Sequence, residues 1–595
     1  MQTTNKLLAI IVTTALVACS SVPNHKFSAQ KEWPSFGGDF TNQRLSPLTQ
    51  INQQNVKNLD LAWQFNSGVS ATFQATPIVK GGVMYVALPF NHVVALDAKT
   101  GKELWRYSHT RRENWKMCCG PANRGVAVSD GTVFIGTVDA RLVALDAKSG
   151  VKLWDIDVAD DTALTEAISA LSKTDSKSQK ERYGGTGVGI AMAPVVFKGK
   201  VILGVTGVGY GMHLDKPTAD APLGAVVGVD GRYGRPGFLA AYDIKTGKRV
   251  WQFDTIPTSG WEGVFTETTS DGISLNRDIA AEKTDLVNNK EAWRYGGGSA
   301  WSTPAIDTAS NTLFFGTGNP SPQMNDTSRP GDNLYTVSLV AVDINTGKLK
   351  WYYQQVPHDV WGYDVASPPV LFNYKQGGKT IPAVGQAGKT GWYYVNDRAT
   401  GKLLMKSEAF VPQKNLFARA TKEGTVLYPG ILGGANWSPT ALDEAHQVTF
   451  VAGIHAAIKY TLVNEPAKDG APAIRYAKSE PTKDPRWGLL SAINLTTGKL
   501  NWQVKTEQPL IGGLLATKAG LVFMGEGNGN FNAYNSNTGN LLWQTKVEAG
   551  VNAPPISYEI DGVQYVAVAA GGNSIFGYTA GDSVVVYALK DKIKH

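Results

Sequence analysis

Short apolar runs, each interrupted by a polar turn, recur along this chain in nearly constant wording. The phrase Ala95-Leu-Asp-Ala-Lys-Thr-Gly-Lys-Glu-Leu-Trp105 returns as Ala144-Leu-Asp-Ala-Lys-Ser-Gly-Val-Lys-Leu-Trp154 and as Ala241-Tyr-Asp-Ile-Lys-Thr-Gly-Lys-Arg-Val-Trp251. It recurs ending at Trp351, in degraded form at Met405, then at Trp502 and Trp543, in steps of 49, 97, 100, 54, 97 and 41 residues. Each copy reads as a β-hairpin: an apolar strand, a turn opened by Asp with Gly where φ must be positive, and a second strand ending in a large aromatic. The steps amount to one or two units of about fifty residues, the period of a propeller blade.

A four-stranded sheet cannot cover both of its faces alone, so the repeat tryptophans are expected to pack between neighbouring blades. Adding Leu61-Ala-Trp63-Gln-Phe65 and a second blade inside each long step predicts an all-β, eight-bladed β-propeller of four-stranded antiparallel blades over residues 32–590. Val584-Val-Val-Tyr587 is expected to return to the N-terminal sheet. Three polar stretches, 157–182, 265–292 and 464–486, break the rhythm and are expected to be inserted loops.

The first residues form a targeting segment: Lys6 precedes the apolar run Leu7 to Val17, too short for the ~20 residues of a spanning helix. Its end, Leu16-Val17-Ala18-Cys19, looks like a bacterial lipobox; an ordinary signal peptide cut nearby is the other reading. On the first reading residues 1–18 are removed, Cys19 is lipidated and 19–31 form a linker. Ser20 then resembles the outer-membrane sorting pattern, placing the protein in the periplasm with membrane contact through its lipid alone.

Composition narrows the chemistry. Of 595 residues 18% are charged, with 64 Gly, 16 Trp and 22 Tyr, which excludes disorder and coiled coil. A net charge of +7 without a concentrated basic run gives no footprint for nucleic acid. The three cysteines cannot attach a c-type haem, since no Cys-x-x-Cys-His occurs, so any electrons must leave by another carrier. The eight histidines show no zinc-binding spacing. Ala383-Val-Gly-Gln-Ala-Gly388-Lys389-Thr390 nearly fits a phosphate-binding loop, but the strand-like Gly391-Trp-Tyr-Tyr-Val395 follows where a helix N-terminus is needed. Cys118-Cys119 is the most unusual pair: either a strained vicinal disulfide or two free buried thiols.

Several segments in the right order resemble the pyrroloquinoline-quinone (PQQ) dependent alcohol dehydrogenases, from about Trp33 to Leu589. They are Phe73-Gln-Ala-Thr-Pro77, Cys118-Cys-Gly-Pro-Ala-Asn-Arg124-Gly, Gly296-Gly-Gly-Ser-Ala-Trp301, Gly316-Thr-Gly-Asn319-Pro-Ser-Pro, Arg329-Pro-Gly-Asp-Asn333, His358-Asp-Val-Trp361 and Gly434-Ala-Asn436-Trp437-Ser-Pro. The resemblance implies that a vicinal disulfide of Cys118 and Cys119 covers one face of the flat quinone and Trp301 the other, with Arg124 on a quinone carboxylate. It places Lys389 beside the adjacent quinone oxygens, Asn436, Trp437, Gln74, Thr206 and Gly207 around the cofactor, and Asn319 on calcium.

The match departs at three points. The family's catalytic aspartate follows the tryptophan of His-Asp-x-Trp, but here that position is Gly362. Asp364 stands two residues on, where lanthanide-using relatives carry a further metal-binding aspartate. Along a strand that spacing keeps one face, displaced roughly 6–7 Å, which makes Asp364 the candidate base and metal ligand; Asp359 is the weaker candidate and reads rather as a turn or strand-end residue. The calcium-binding glutamate aligns with Gly209, with Asp230 as a replacement if 210–229 is an inserted loop. Gln74 stands where the family usually has Glu.

The resulting expectation is a periplasmic enzyme holding PQQ and calcium or a lanthanide. It would oxidise a small or polymeric alcohol and pass electrons to a cytochrome c or a membrane quinone. A non-catalytic scaffold or sensor built from the same repeat is the alternative, favoured by Gly362 and Gly209.

Overall fold

The computed structural model describes residues 31–111, 121–159, 189–206, 212–214, 225–227, 236–323, 326–466 and 474–593. The expected β architecture is present: eight sheets each carry four antiparallel strands, and one of them gains Leu45–Ser46 as a parallel fifth. The first expected hairpin, for example, is the pair Val93–Asp97 and Glu103–Tyr107. Middle strands such as Val83–Ala87 and Val93–Asp97 are buried throughout, whereas the outer strand Leu349–Gln354 alternates between exposed and covered positions. Continuous apolar runs therefore mark strands covered on both faces, and alternation marks the rim.

The repeated phrase has a definite physical purpose. Asp97 Oδ1 accepts the Lys99 and Thr100 amides, closing the turn, and Gly101 then adopts φ +74°. The same device recurs at Asp146 with Gly150 and at Asp343 with Gly347. Trp63, Trp105, Trp154, Trp251, Trp351 and Trp502 each lie on the turn glycine of the next sheet. A Cβ on Gly150 would come within 2.5 Å of the Trp105 ring, and one on Gly347 within 2.6 Å of Trp251. The indole N–H groups of Trp105 and Trp251 donate to Ala147 O and Ile344 O, both at 3.0 Å. Where the phrase is degraded, Met405 Sδ takes the indole's place over Gly498.

Chain ends join as expected, with Leu59–Asn66 pairing antiparallel to Ser583–Leu589. Trp543 meets Tyr587 of that sheet edge-on, 5.2 Å between centroids. Unexpectedly, the segment from Phe40 to Arg44 ties further sheets together: the carbonyls of Phe40, Thr41, Gln43 and Arg44 accept Ile306, Leu371, Leu442 and Ala516 amides. The fully buried Arg44 donates to Phe36, Leu514 and Pro555 carbonyls, and desolvation pushes its pKa down to about 9.

Two insertions expected as loops carry regular structure. Residues 265–292 contain the helix Ile279–Leu286, capped by Asp278, whose carboxylate accepts the Ala281 amide. Before it, Arg277 bridges Glu282 and Asp332. Around 464–486, strands Ile458–Glu465 and Ile474–Pro481 pair as a hairpin joined by Thr425–Leu427. The helix is held by its cap and the Arg277 ion pairs, and the hairpin by strand pairing and the buried Ile458, Tyr460 and Ala477, which its polar composition hid. Residues 1–30 and most of 157–182 lie outside the described residues.

Gly150→Ala should lower the thermal unfolding midpoint by several degrees, since positive φ costs ~1–2 kcal/mol and overpacking against Trp105 another ~1–3 kcal/mol. Calorimetry checks this; an unchanged midpoint would remove the indole-on-glycine contact from the forces holding the sheets together.

Candidate active site

Arg124 is spliced between two backbone segments: its N–H donates to Ala191 O and its carbonyl accepts the Thr76 amide, both at 3.0 Å. Its guanidinium lies between two indoles, 5.0 Å from the Trp301 ring centroid and 4.9 Å from that of Trp437. Nη1 donates to Trp301 O at 3.1 Å, while Arg124 Nε and Trp301 Nε1 are buried without a partner. Desolvation pushes the Arg124 pKa down to about 9, and among the described residues no carboxylate pairs with it. A buried cation without an anion is costly, so this position calls for an anionic ligand. Cys118 and Cys119, expected opposite Trp301, lie outside the described residues.

A second cluster gathers Asn319, Asp359, Asp364 and Lys389. Asp364 Oδ1 accepts the Asn319 amide at 3.1 Å, and its Oδ2 lies 3.8 Å from Lys389 Nζ, which itself donates to Gly362 O at 2.9 Å. Burial raises the Asp364 pKa to about 6; Lys389 opposes that rise and Asp359 adds to it. Residues 361–366 form an irregular loop and not the strand assumed from spacing, because Gly362 sits at φ +89°. Asp364 reaches the cluster all the same. A Cβ at Gly362 would lie 2.5 Å from Ile431 Cγ1 and 2.7 Å from Gln323 Nε2, so those two side chains fill the volume that a side chain at 362 would need.

Asp359 is a turn residue, as expected, accepting the amides of Trp361, Gly362 and Tyr363. It also takes part in the cluster, accepting Asn319 Nδ2 at 2.7 Å. Gln323, which sequence reasoning passed over, donates to Asn319 Oδ1 at 3.1 Å. Buried Arg329 donates to the carbonyls of Pro322, Gln323 and Asp359, joining both loops. No motif announces Gln323; the Asp359 contact to Asn319 is likewise invisible until the loops fold together.

The two clusters adjoin. Gly434, in the loop leading to Trp437, donates its amide to Lys389 O at 2.6 Å, and Ser302, next to Trp301, donates to Ala366 O. Lys389 follows the strand Lys379–Ala387 and the next element is the strand Tyr393–Asp397, so no helix N-terminus completes a phosphate loop. Asn436 closes its own loop, donating to Leu432 O and accepting the Trp437 amide. Thr206 Oγ1 donates to Gly189 O and accepts its amide; Gln74 is buried. Gly207, Gly209 and Asp230 lie outside the described residues. Among the described residues no three His, Cys, Asp or Glu side chains gather as a metal centre.

The sequence profile of the PQQ-associated glucose/ethanol/alcohol dehydrogenase β-propeller domain matches residues 33–416 and 407–566. The chain is 32% identical to the quinoprotein alcohol dehydrogenase PedH of Pseudomonas putida, covering 89% of this chain and 84% of that protein. It is 33% identical to the quinohemoprotein alcohol dehydrogenase of Comamonas testosteroni, over 92% and 74%. A europium-containing methanol dehydrogenase superposes with TM-score 0.75 at 28% identity, over 94% of this chain and 98% of that one.

Without a bound cation, the raised pKa of Asp364 means that folding favours its protonated form. That contribution is fully present below the ordinary carboxylate pKa near 4 and is lost as pH rises through about 6. Asp364→Asn should therefore stabilise the metal-free protein above pH 6 by on the order of 2 kcal/mol, with little effect at pH 4. Unfolding midpoints measured across pH 4–8 test this; equal shifts at both ends would contradict it.

Proposed function

The chain belongs to the PQQ-dependent alcohol dehydrogenase β-propeller family, and from that premise we propose that it oxidises an alcohol at the paired clusters. The observation that carries the reading is Arg124, a buried cation between two indoles with no anion beside it among the described residues. The eight four-stranded sheets are read as eight blades of one ring, supported by the indole-on-glycine contacts between successive sheets and the pairing of Leu59–Asn66 with Ser583–Leu589.

The residues suit the family's cofactor. A planar tricarboxylate matches indole faces and an unpaired guanidinium. Asn319 Oδ1 and the Asp364 carboxylate are oxygen donors of the kind that hard cations such as calcium or a lanthanide take, and Asp230 is the further ligand proposed from sequence. Bound PQQ and its metal would supply a two-electron acceptor and a Lewis acid. The protein's part is then to orient and to move a proton. Arg124 would hold a carboxylate, with Trp301 and Trp437 flanking the cofactor and the Cys118–Cys119 pair closing it. Lys389 would place positive charge beside the reacting oxygens. Asp364, with its pKa raised to about 6 by burial, would accept the alcohol's hydroxyl proton in the role that Gly362 cannot fill.

Electrons would leave to a separate carrier, a cytochrome c or a membrane quinone, since the sequence contains no Cys-x-x-Cys-His. The Lys6 to Cys19 segment supports a lipoprotein of the periplasm, held at the outer membrane through Cys19. The non-catalytic scaffold is the less supported reading, because relatives 32% and 33% identical over 89% and 92% of this chain bear enzyme names.

Purified protein reconstituted with PQQ and calcium or a lanthanide should take up the chromophore and reduce a dye with an alcohol; uptake without turnover would favour the scaffold. Arg124→Ala should weaken PQQ binding about 10- to 100-fold, the worth of one charge-assisted contact. Asp364→Asn should keep the chromophore and lose turnover, and wild-type rates in that variant would remove Asp364 as the base.

A further inference from the structure

We propose that Asp359 is a positioning residue of the metal and quinone site, fixing which end of the Asn319 amide faces outward from the pair. This rests on the proposed PQQ-dependent activity. Asp359 is completely buried, and its carboxylate collects two sets of donors. Oδ1 accepts the Trp361, Gly362 and Tyr363 amides, each at 3.2 Å, while Oδ2 accepts Gly362 and Tyr363 at 3.1 and 3.2 Å and Asn319 Nδ2 at 2.7 Å. Successive amides can converge on one carboxylate because Gly362 takes φ +89°, making a small anion-binding nest.

The chemistry of the pair then dictates orientation. Six N–H contacts meet the Asp359 carboxyl and both of its oxygens accept, and of an amide's two ends only the nitrogen donates. Asn319 must therefore turn Nδ2 to Asp359 and Oδ1 away, where Oδ1 now accepts from Gln323 Nε2. Only the oxygen end can coordinate a hard cation. The same carboxylate sets the loop that carries Asp364, whose Oδ1 accepts the Asn319 backbone amide. One buried group thus aligns both oxygen donors.

Asp359→Asn is isosteric and separates orientation from packing. Its single oxygen stays with the nest, its NH2 faces Asn319, and the Asn319 amide must flip to present its oxygen to Asn at 359, turning nitrogen outward. Adding Asn319→Asp restores an outward oxygen, since that carboxylate accepts from the new amide with one oxygen and offers the other. Calcium affinity of the PQQ-loaded protein, read by titration calorimetry and by the calcium-dependent rise in unfolding midpoint, should fall about 10- to 100-fold in Asp359→Asn and return to within about threefold of wild type in the Asn319→Asp/Asp359→Asn pair. Wild-type affinity in the single variant overturns the proposal, and so does a double variant as weak as the single, which would leave Asp359 a purely structural turn residue. A wild-type protein that binds neither PQQ nor calcium would instead sink the enzymatic reading beneath it.

Discussion

The contact between a repeat tryptophan and the turn glycine of the next sheet is the constraint on which the architecture depends. A single four-stranded sheet leaves two apolar faces open, and the middle strands here are buried at every position. Coverage must come from neighbours on both sides. The glycine serves twice: its positive φ closes the Asp-opened turn, and its missing Cβ leaves room for an indole within van der Waals reach. Because the indole N–H finds a carbonyl in the same turn, the contact fixes orientation as well as burial.

That frame frees the loops at the strand ends to diverge, and the site is built from them. Arg124, Trp301 and Trp437 come from three separate loops, yet converge within about 5 Å of one another's π faces and cation. Buried arginines elsewhere are satisfied: Arg44 meets three carbonyls, and Arg329 meets three carbonyls and Asn333. Arg124 has one carbonyl and an unpartnered Nε. The contrast separates a structural arginine from one arranged for a ligand.

Much of this was legible beforehand, for identifiable reasons. Turn chemistry is local, so the hairpins and their glycines follow from the repeated phrase, and the return of Val584 to Tyr587 follows from the need to cover an edge. Arg124, Trp301, Asn319, Asp364 and Lys389 could be picked out because matched segments kept their spacing. The helix Ile279–Leu286 was not legible because a cap and ion pairs hold it, and the hairpin Ile458–Glu465 with Ile474–Pro481 was not, because its few buried apolar residues, Ile458, Tyr460 and Ala477, stand among polar ones. The cooperation of Asp359, Gln323 and Asn319 was hidden because the pairs Asn319–Asp359 and Asn319–Asp364 join residues 40 and 45 positions apart. Strand periodicity also misled: Asp364 arrives by way of a positive-φ glycine, not by alternation.

Gly362, one of the departures from the family pattern, lies on the acidic side of the site, in the cluster of Asp359, Asp364 and Lys389, and not among Arg124, Trp301 and Trp437. That placement is physically coherent. Restoring a side chain there meets two obstacles at once, a backbone in the left-handed region and the side chains of Ile431 and Gln323 already in its place. A glycine in that conformation also lets successive amides grip Asp359, so the loss of one carboxylate and the fixing of another are the same structural event. Lys389 completes the exchange: its ammonium spans Gly362 O and the Asp364 carboxylate, tying the vacated position to the residue two places on. The geometry is that of a rearranged acidic cluster rather than an eroded one, because an eroded cluster would have no reason to keep Asp364 buried against Lys389, with its charge opposed by desolvation.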